Sequence, residues 1–437
     1  MTDEITEPAP PTVRTTKTRS KRRSLLASSV GNVLEWYEWS TYAVFAPFIA
    51  AAMFDNADPV SALLSTFAVF AIGFLMRPLG GIVFGWVADR KGRKFVLVTT
   101  MLTMAAGSLV IGLMPTYASI GVGASAILLL ARVAQGFAHG GESATANTYV
   151  AEIAPPARRG LWGSIVFAAI FGGSVLAYTV GGLVTTSLSD SAVAAWGWRI
   201  PFLLGALLAL AALWLRRAMD ESEVFEAGGE TGSATAVAPP SRRRVVRAIL
   251  LVVAMTSGIT AAHYTWTSYV STYAIGQGMT PNTAYWVTAA AQLIGLAALP
   301  LWGRLSDRVG RRPIMIGFAL AMIVLQIPLK SLIGPDGWTL LVGSGIALVA
   351  IAAPGSILSS IMSEAFPTRI RTQGIGFAYS VSVAVFGGTA PYLNQLFTKL
   401  EADWMSSGYI MLLCLCTGIA VYLMSETKGI RLEDARC

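Results

Sequence analysis

The sequence predicts an all-α polytopic membrane protein, with twelve transmembrane helices arranged as two pseudo-symmetric six-helix bundles. Three observations predict it. Hydrophobic residues make up 54% of the 437 residues and charged residues only 13%, against about 45–50% and about 25% in soluble domains. Apolar runs of 18 residues or more recur along the chain, each long enough to cross about 30 Å of hydrocarbon as a helix. The chain also repeats itself. Gly85-Trp86-Val87-Ala88-Asp89-Arg90-Lys91-Gly92-Arg93 returns as Gly303-Arg304-Leu305-Ser306-Asp307-Arg308-Val309-Gly310-Arg311, 218 residues on. Two looser echoes keep the same order: Phe171-Gly172-Gly173-Ser174 with Phe386-Gly387-Gly388-Thr389, and Glu152 to Gly160 with Glu364 to Arg371. A unit used twice decides the architecture ahead of any local reading.

Residues 1–24 are rich in Pro and Thr and end in Lys17, Arg19, Lys21, Arg22 and Arg23; a cytoplasmic tail is expected. The apolar run after them is too long for a signal peptide and carries Glu35 and Glu38, so no cleavage is expected. The N-terminal bundle, 25–217, holds apolar segments at 25–53, 60–88, 94–114, 121–151, 159–186 and 199–217. Residues 218–245 run acidic, then Gly/Ala/Pro-rich, then basic through Arg242, Arg243 and Arg244, the composition of a flexible cytoplasmic loop. The C-terminal bundle, 246–426, holds segments at 246–275, 281–303, 312–333, 338–363, 372–397 and 407–425, and 427–437 form a second cytoplasmic tail.

Of the 32 Lys and Arg residues, 27 fall in the tails and the even-numbered connections. Basic loops stay inside, so both termini are expected in the cytoplasm. The same loops account for the net charge of +8 without a nucleic-acid partner. Cys414 and Cys416 lie in an apolar run and Cys437 is the last residue, which supports neither a disulfide framework nor a metal site. No cofactor is expected.

Here the sequence resembles a known family. The paired Gly-x-x-x-Asp-Arg-x-Gly-Arg stretches look like the signature of the major facilitator superfamily, and the resemblance runs from about 25 to 430. Narrower matches are Gly31-Asn32-Val33-Leu34-Glu35-Trp36-Tyr37, Met76-Arg77-Pro78-Leu79-Gly80-Gly81, Arg132-Val133-Ala134-Gln135-Gly136-Phe137 with Gly140-Gly141-Glu142, and Trp196-Gly197-Trp198-Arg199-Ile200-Pro201-Phe202. These are similar to the metabolite:proton symporter branch, which includes permeases for α-ketoglutarate, citrate, shikimate and proline/betaine. The resemblance implies the major facilitator fold, a binding site between the halves near the bilayer midplane, and a monomeric carrier in a bacterial plasma membrane.

Ionisable groups inside a bilayer cost several kcal/mol on most scales, so each is a candidate functional residue. Five stand out away from the segment ends, all in the first half: Glu35 and Glu38, Arg77, Arg132 and Glu142. The second half has no acid or base clearly inside its segments except His263. Arg132, Gln135, His139 and Glu142 fall at i, i+3, i+7 and i+10, one stripe of a helix; Glu35, Glu38 and Tyr42 form another. A guanidinium keeps its charge and holds a carboxylate through two parallel hydrogen bonds. Arg132 first and Arg77 second are therefore expected to contact an anionic substrate, with Gln135 beside them. Glu35, Glu38 and Glu142 are expected to include the proton carrier, because burial and a nearby Arg pull a carboxyl in opposite directions. The plainer alternative is a static buried ion pair that fixes helix packing. Relatives usually have Asp where Glu38 stands, so the carboxylate here sits one methylene further out. His139 lies on the polar stripe with no assigned role.

Tyr264 and Thr267, one turn apart on the seventh segment, and Tyr37 on the first place hydroxyls beside aromatic walls, which suits a small polar organic ligand. His263 adjoins them. The α-ketoglutarate permeases look similar through Tyr264, Thr265, Thr267, Tyr269 and Tyr273, although some carry polar or basic residues where Ser271 and Thr272 stand. Asp89, Arg90 and Arg93, with Asp307 and Arg308 as their counterparts, are expected to act as a latch between conformations. The alternative is that these basic residues only keep their loops inside.

The expectation is a secondary active transporter for proton-coupled uptake of a small organic acid, α-ketoglutarate or a similar carboxylate, by alternating access. The runner-up substrates are a zwitterionic osmolyte (proline or betaine) and a shikimate-type acid. An intramembrane enzyme is disfavoured by the absence of Gly-x-Ser-x-Gly and His-Glu-x-x-His and by only two histidines. A channel leaves the duplication and its latch stretches unexplained. The expected partners are the substrate, protons and the lipid bilayer.

Overall fold

The structure, a computed structural model, describes residues 31–55, 57–91, 93–140, 150–152, 154–217, 242–367, 370–430 and 432. Twelve helical segments follow one another, and no strand occurs among the described residues. In the first half α1 spans 31–53 with a turn at Phe45, and α2 runs Pro59–Leu75 and continues as Arg77–Lys91. α3 is Arg93–Leu113, α4 is Val122–His139 with a further piece at 150–152, α5 is Arg159–Ser187 and α6 is Ile200–Arg217. In the second half α7 is Arg242–Gly276, α8 Pro281–Val309, α9 Arg311–Ser331 and α10 Gly337–Ala365. α11 is Arg371–Ser382 continued by Val383–Gly387 and Ala390–Lys399, and α12 is Asp403–Leu423. Nine of the described helices are long and apolar enough to cross a bilayer unaided. Of the other three, α1 and α11 are interrupted, and the apolar stretch at α6, Gly197–Leu213, is shorter.

The interruptions have a local cause. Proline lacks an N–H and its ring crowds the carbonyl four residues back. Pro47, Pro78 and Pro391 each follow by two positions a turn, at Phe45, Met76 and Thr389. Helix starts are as legible. Asp58 accepts the N–H groups of Val60 and Ser61, each at 3.1 Å, and Pro59 takes the first helical position, where no N–H is needed. Thr280 and Pro281 repeat the arrangement at α8. α7 and α11 each contain a widened five-residue π-turn, Thr265–Tyr269 and Val383–Gly387, a feature that concentrates at functional sites.

Lipid does not drive apolar helices together, so they approach through small residues. A Cβ on Gly136 of α4 would collide with the Gly73 carbonyl of α2; glycine alone permits that crossing, which brings Arg77 beside α4. Between the halves α5 packs on α8 and α10. Gly163 of α5 faces the hydroxyls of Ser359 and Ser360. Large apolar side chains such as Leu130, Leu207, Leu301 and Val324 are exposed, as suits helices whose outer face meets hydrocarbon.

Two expectations change. α8 stays helical to Val309, so the second copy of the repeated stretch is the last turn of a helix. Gly310, at φ +106°, then makes the turn into α9, a backbone shape that costs glycine little. Buried charge is also not confined to the first half: Arg311, Lys330, Glu364 and Arg371 are all buried.

Candidate functional site

The two halves meet around two adjoining cavities of about 10 Å³ each, no more than one water molecule requires. Trp36, Ile170, His263 and Tyr264 line both. Trp39, Phe70 and Thr267 add to the first, Phe167 and Tyr379 to the second. The π-turn of α7 forms part of this wall. The Thr267 hydroxyl donates to the His263 carbonyl at 2.6 Å, and the Thr267 carbonyl accepts the Tyr178 hydroxyl of α5 at 2.7 Å. The Tyr264 ring stands edge-on to Phe74 at 5.1 Å and tilts over Trp36 at 6.2 Å. The His263 ring is enclosed by Phe167 at 5.2 Å and Phe171 at 5.7 Å.

A layer of charge stands behind Trp36 and Trp39. The Arg77 guanidinium lies 3.7 Å from the Phe74 ring centre and 4.2 Å from that of Trp39. The Arg132 guanidinium lies 4.0 Å from Trp39 and 4.3 Å from Tyr42. Trp39 thus carries one cation from α2 and one from α4, contacts worth about 2 kcal/mol each when desolvated. Arg132 is tied into the first half. It donates to Gln135 at 3.1 Å, and Gln135 donates to Ser108 at 3.0 Å and the Met104 carbonyl at 3.3 Å. Arg77 faces the seam, within electrostatic range of Tyr264 and Tyr379 from the second half and of Glu35. Its Nε and Nη2 are buried without a hydrogen-bond partner.

The acids divide. The Glu35 carboxylate meets the Nδ1 of His139 on α4. Glu38 is buried, with Ser108 of α3, Arg132 and Glu35 in range of its carboxyl. Its side chain lies beside Gly205 of α6, away from the cavity lining. Tyr37 is also turned to that side, where its hydroxyl donates to the Pro201 carbonyl at 2.8 Å. Glu142 lies outside the described residues.

At the end rich in Lys and Arg, the halves are joined by a charge network. Arg159 of α5 donates to Glu364 of α10 at 2.9 Å, and Arg371 of α11 donates to Glu152 at 3.2 Å. Asp307 accepts the N–H groups of Gly160 and Leu161 at the start of α5, at 2.8 and 3.0 Å, and pairs with Arg311 at 2.9 Å. The carboxylate therefore meets the positive end of the α5 dipole. The chain after α12 covers the network. The Thr427 hydroxyl donates to Glu364 at 2.6 Å, and the Ile430 carbonyl accepts from Arg159 at 3.0 Å. Glu426 accepts four backbone N–H groups, from Arg311, Arg312, Thr427 and Lys428. Burial would raise its pKa, but these donors hold it below the usual carboxylate range.

The opposite end is closed too. Tyr285 of α8 donates to the Val44 carbonyl of α1 at 2.7 Å, and Asn282 donates to Thr186 of α5 at 2.6 Å. Lys399 of α11 pairs with Asp58 at 3.3 Å. The Ser61 hydroxyl and N–H, with Lys399 beside them, hold the Asp58 carboxyl down to about 2.

The structure thus brings Glu35, Arg77, Arg132, Gln135, His263, Tyr264 and Thr267 to one level of the bundle and leaves Tyr37 and Glu38 on the far side of α1. Of the latch residues, Asp307 joins the two halves, while the Arg308 and Arg90 side chains are exposed, Arg90 stacking on Trp86 at 3.6 Å. The side chains of Asp89 and Arg93 lie outside the described residues. Arg311, rather than Arg308, is the partner of Asp307. Sequence reasoning missed Arg159, Glu364, Arg371 and Glu152 as a functional set, although their shared Glu-x6-Arg spacing stood in the echo it had noted.

Comparison with known proteins agrees with this architecture. The Major Facilitator Superfamily model matches residues 29–391 and 264–432. The chain is 35% identical to the α-ketoglutarate permease of Escherichia coli K12, over 98% of this chain and 100% of the permease. It is also 35% identical to the ectoine/proline transporter ProP of Corynebacterium glutamicum, over 93% of this chain and 84% of that one. Among solved structures, the proton:xylose symporter XylE bound to 6-bromo-6-deoxy-D-glucose superposes with a TM-score of 0.73 at 19% identity, over 94% of this chain and 97% of that one.

Proposed function

The chain belongs to the Major Facilitator Superfamily, and from that premise we propose that it is a proton-coupled uptake carrier for a small organic acid, α-ketoglutarate or a similar carboxylate. Its relatives are transporters, not enzymes. Alternating access fits a site between two six-helix halves, 25–217 and 246–426, joined by the loop at 218–245. Basic loops on one side support two cytoplasmic termini in a plasma-membrane monomer.

One observation carries the choice of a carboxylate. Arg77 stands at the seam, in range of Tyr264 and Tyr379 of the second half; like Arg132 it has two buried N–H groups unused, and a guanidinium edge of that kind matches a carboxylate through paired hydrogen bonds. Arg77 therefore takes first place as the anion contact, with Arg132 behind Trp39 supporting it, and Tyr264, Thr267 and His263 shaping the wall. The present cavities are too small for such a substrate, so binding belongs to a more open form. The proton is assigned to the buried acids of the first half, and the latch to Asp307 with its Arg311 partner.

A second reading is favoured by the relatives that carry proline, betaine or ectoine. Recognition of a quaternary ammonium group wants free aromatic faces. Here Trp39 and Phe74 already hold the guanidiniums of Arg77 and Arg132, so a ligand cation would meet like charge. Uptake into proteoliposomes of organic acids, sugars and betaines, with and without a pH gradient, tests the proposal. Gradient-stimulated uptake of a carboxylate supports it; uptake of betaine alone would replace it with the second reading.

A further inference from the structure

We infer that Glu35 and His139 together form the proton-carrying couple, and that Arg77 links its protonation to the carboxylate of the substrate. The inference rests on the transport reading above and names the residues that do its proton chemistry. The Glu35 carboxylate on α1 and the His139 Nδ1 on α4 are in direct contact at the back of the cavity wall. The His139 ring stands edge-on to Trp36 at 6.0 Å and to Trp39 at 5.6 Å, and both indoles line the cavity. Glu38 faces Ser108 of α3 and Gly205 of α6 instead. Imidazole is the side chain whose ordinary titration falls between about pH 5 and 8, and a carboxylate beside it gives the protonated ring a counter-charge.

Among the described residues, the charged and titratable groups around the couple are Tyr37, Glu38 and Tyr42 on α1, Arg77 on α2 and Arg132 on α4, with His263 and Tyr264 of α7 across Trp36 and Tyr379 of α11 beside Arg77; Glu142 lies outside them. α3, α5 and α6 present Ser108, Phe167 and Gly205 there, none of which titrates. The proton balance is simple. The empty couple is a neutral imidazole beside a carboxylate. One proton from the outer solution converts the imidazole to an imidazolium paired with Glu35, and its release to the inner solution restores the neutral ring; no other bond changes. The added charge stands close to Arg77, whose own cation opposes it. A substrate carboxylate on Arg77 cancels that cation, so anion and proton each favour the binding of the other, as linkage requires.

The test uses the full chain in proteoliposomes and in detergent. In H139Q, accumulation driven by a pH gradient is expected to fall at least about tenfold while substrate exchange without a gradient persists, a loss in the range of ordinary coupling energies. In detergent without substrate, tryptophan fluorescence of the native protein is expected to show a step between about pH 5 and 8, since Trp36 and Trp39 touch the imidazole, and H139Q is expected to lack it. Accumulation by H139Q equal to that of the native protein would overturn the inference. So would a native titration with no step that H139Q removes. If H139Q does not fold, E35Q decides in the same way: exchange kept with accumulation lost supports the couple, and accumulation kept overturns it. Should the native protein carry none of the substrates tried, the transport reading fails, while the fluorescence titration still decides the couple.

Discussion

Arg159 of α5 donates to Glu364 of α10 at 2.9 Å, so the arginine of one half is held by the acid of the other. The relation is reciprocal, because Arg371 reaches back to Glu152 at 3.2 Å. Each half carries Glu and, seven residues on, Arg, and each Arg crosses the seam. A duplicated chain has thereby made a two-fold brace that closes one end of the central site.

Breaking that brace at Glu364 is expected to loosen the basic end. The side chain is fully buried, and removing one partner of a buried pair costs about 3–5 kcal/mol because the other charge is left without compensation. In E364Q, Arg159 loses its charge partner, while Arg311 keeps Asp307. A lower thermal midpoint in detergent is expected, together with faster maleimide labelling of a cysteine placed at Ser356. Unchanged labelling would show that the brace does not hold the closed form.

Arg77 and Arg132 are expected to separate in kinetics. R77K keeps the charge but loses the two-pronged donor, and KM is expected to rise about 10- to 100-fold, the scale of a charged hydrogen bond. R132A removes a guanidinium held by Gln135 and Trp39 inside the first half, so turnover is expected to fall more than KM rises. Initial-rate uptake over a range of substrate concentrations distinguishes the two. Equal effects in both variants would place both arginines on the substrate.

Much of this was legible in the sequence. Apolar length gave the segment order, and the Gly-x-x-x-Asp-Arg repeat gave the duplication that pairs α2 with α8. Period 3.6 put Arg132, Gln135 and His139 on one face, as the Arg132–Gln135 bond confirms. What could not be read was which neighbour each face meets. Glu35 and Glu38 are one turn apart and look alike in sequence. The rotation of α1 sends one to His139 and the other toward α6. The order of Arg77 and Arg132 was hidden for the same reason: only the crossing of α2 and α11 shows that Arg77 looks into the seam. The breaks before Pro78 and Pro391 follow from proline chemistry, but nothing in the composition of Thr265–Tyr269 announced a π-turn.

The α2–α4 crossing is expected to be intolerant of a single methyl group. A Cβ at Gly136 would meet the Gly73 backbone, and overpacking of this kind costs about 1–3 kcal/mol. G136A is expected to lower the thermal midpoint and uptake together, because it displaces the helix that carries Arg77. G172A is the control, since its nearest atom is a Val33 methyl at 3.6 Å, and it should leave the midpoint unchanged.

Acidification is expected to release the segment after α12. The Glu426 carboxyl is held below its usual range in the folded chain, against the burial that would raise it, by four backbone donors. A depressed folded pKa gives stability that is present above the unfolded value, about 4.3 for Glu, and is lost as pH falls through the folded value. The protection of residues 424–430 against hydrogen exchange, relative to the intrinsic rate at each pH, should therefore be high at neutral pH and fall below about pH 4. E426Q should have low protection at both.

The most direct test of the central claim is accumulation of labelled α-ketoglutarate by proteoliposomes carrying the native protein, with an imposed pH gradient, alkaline inside. Saturable accumulation above the external concentration is expected, abolished by dissipating the gradient and competed by other carboxylates but not by glycine betaine. Accumulation of betaine in place of the carboxylate, or carboxylate entry indifferent to the gradient, would contradict it.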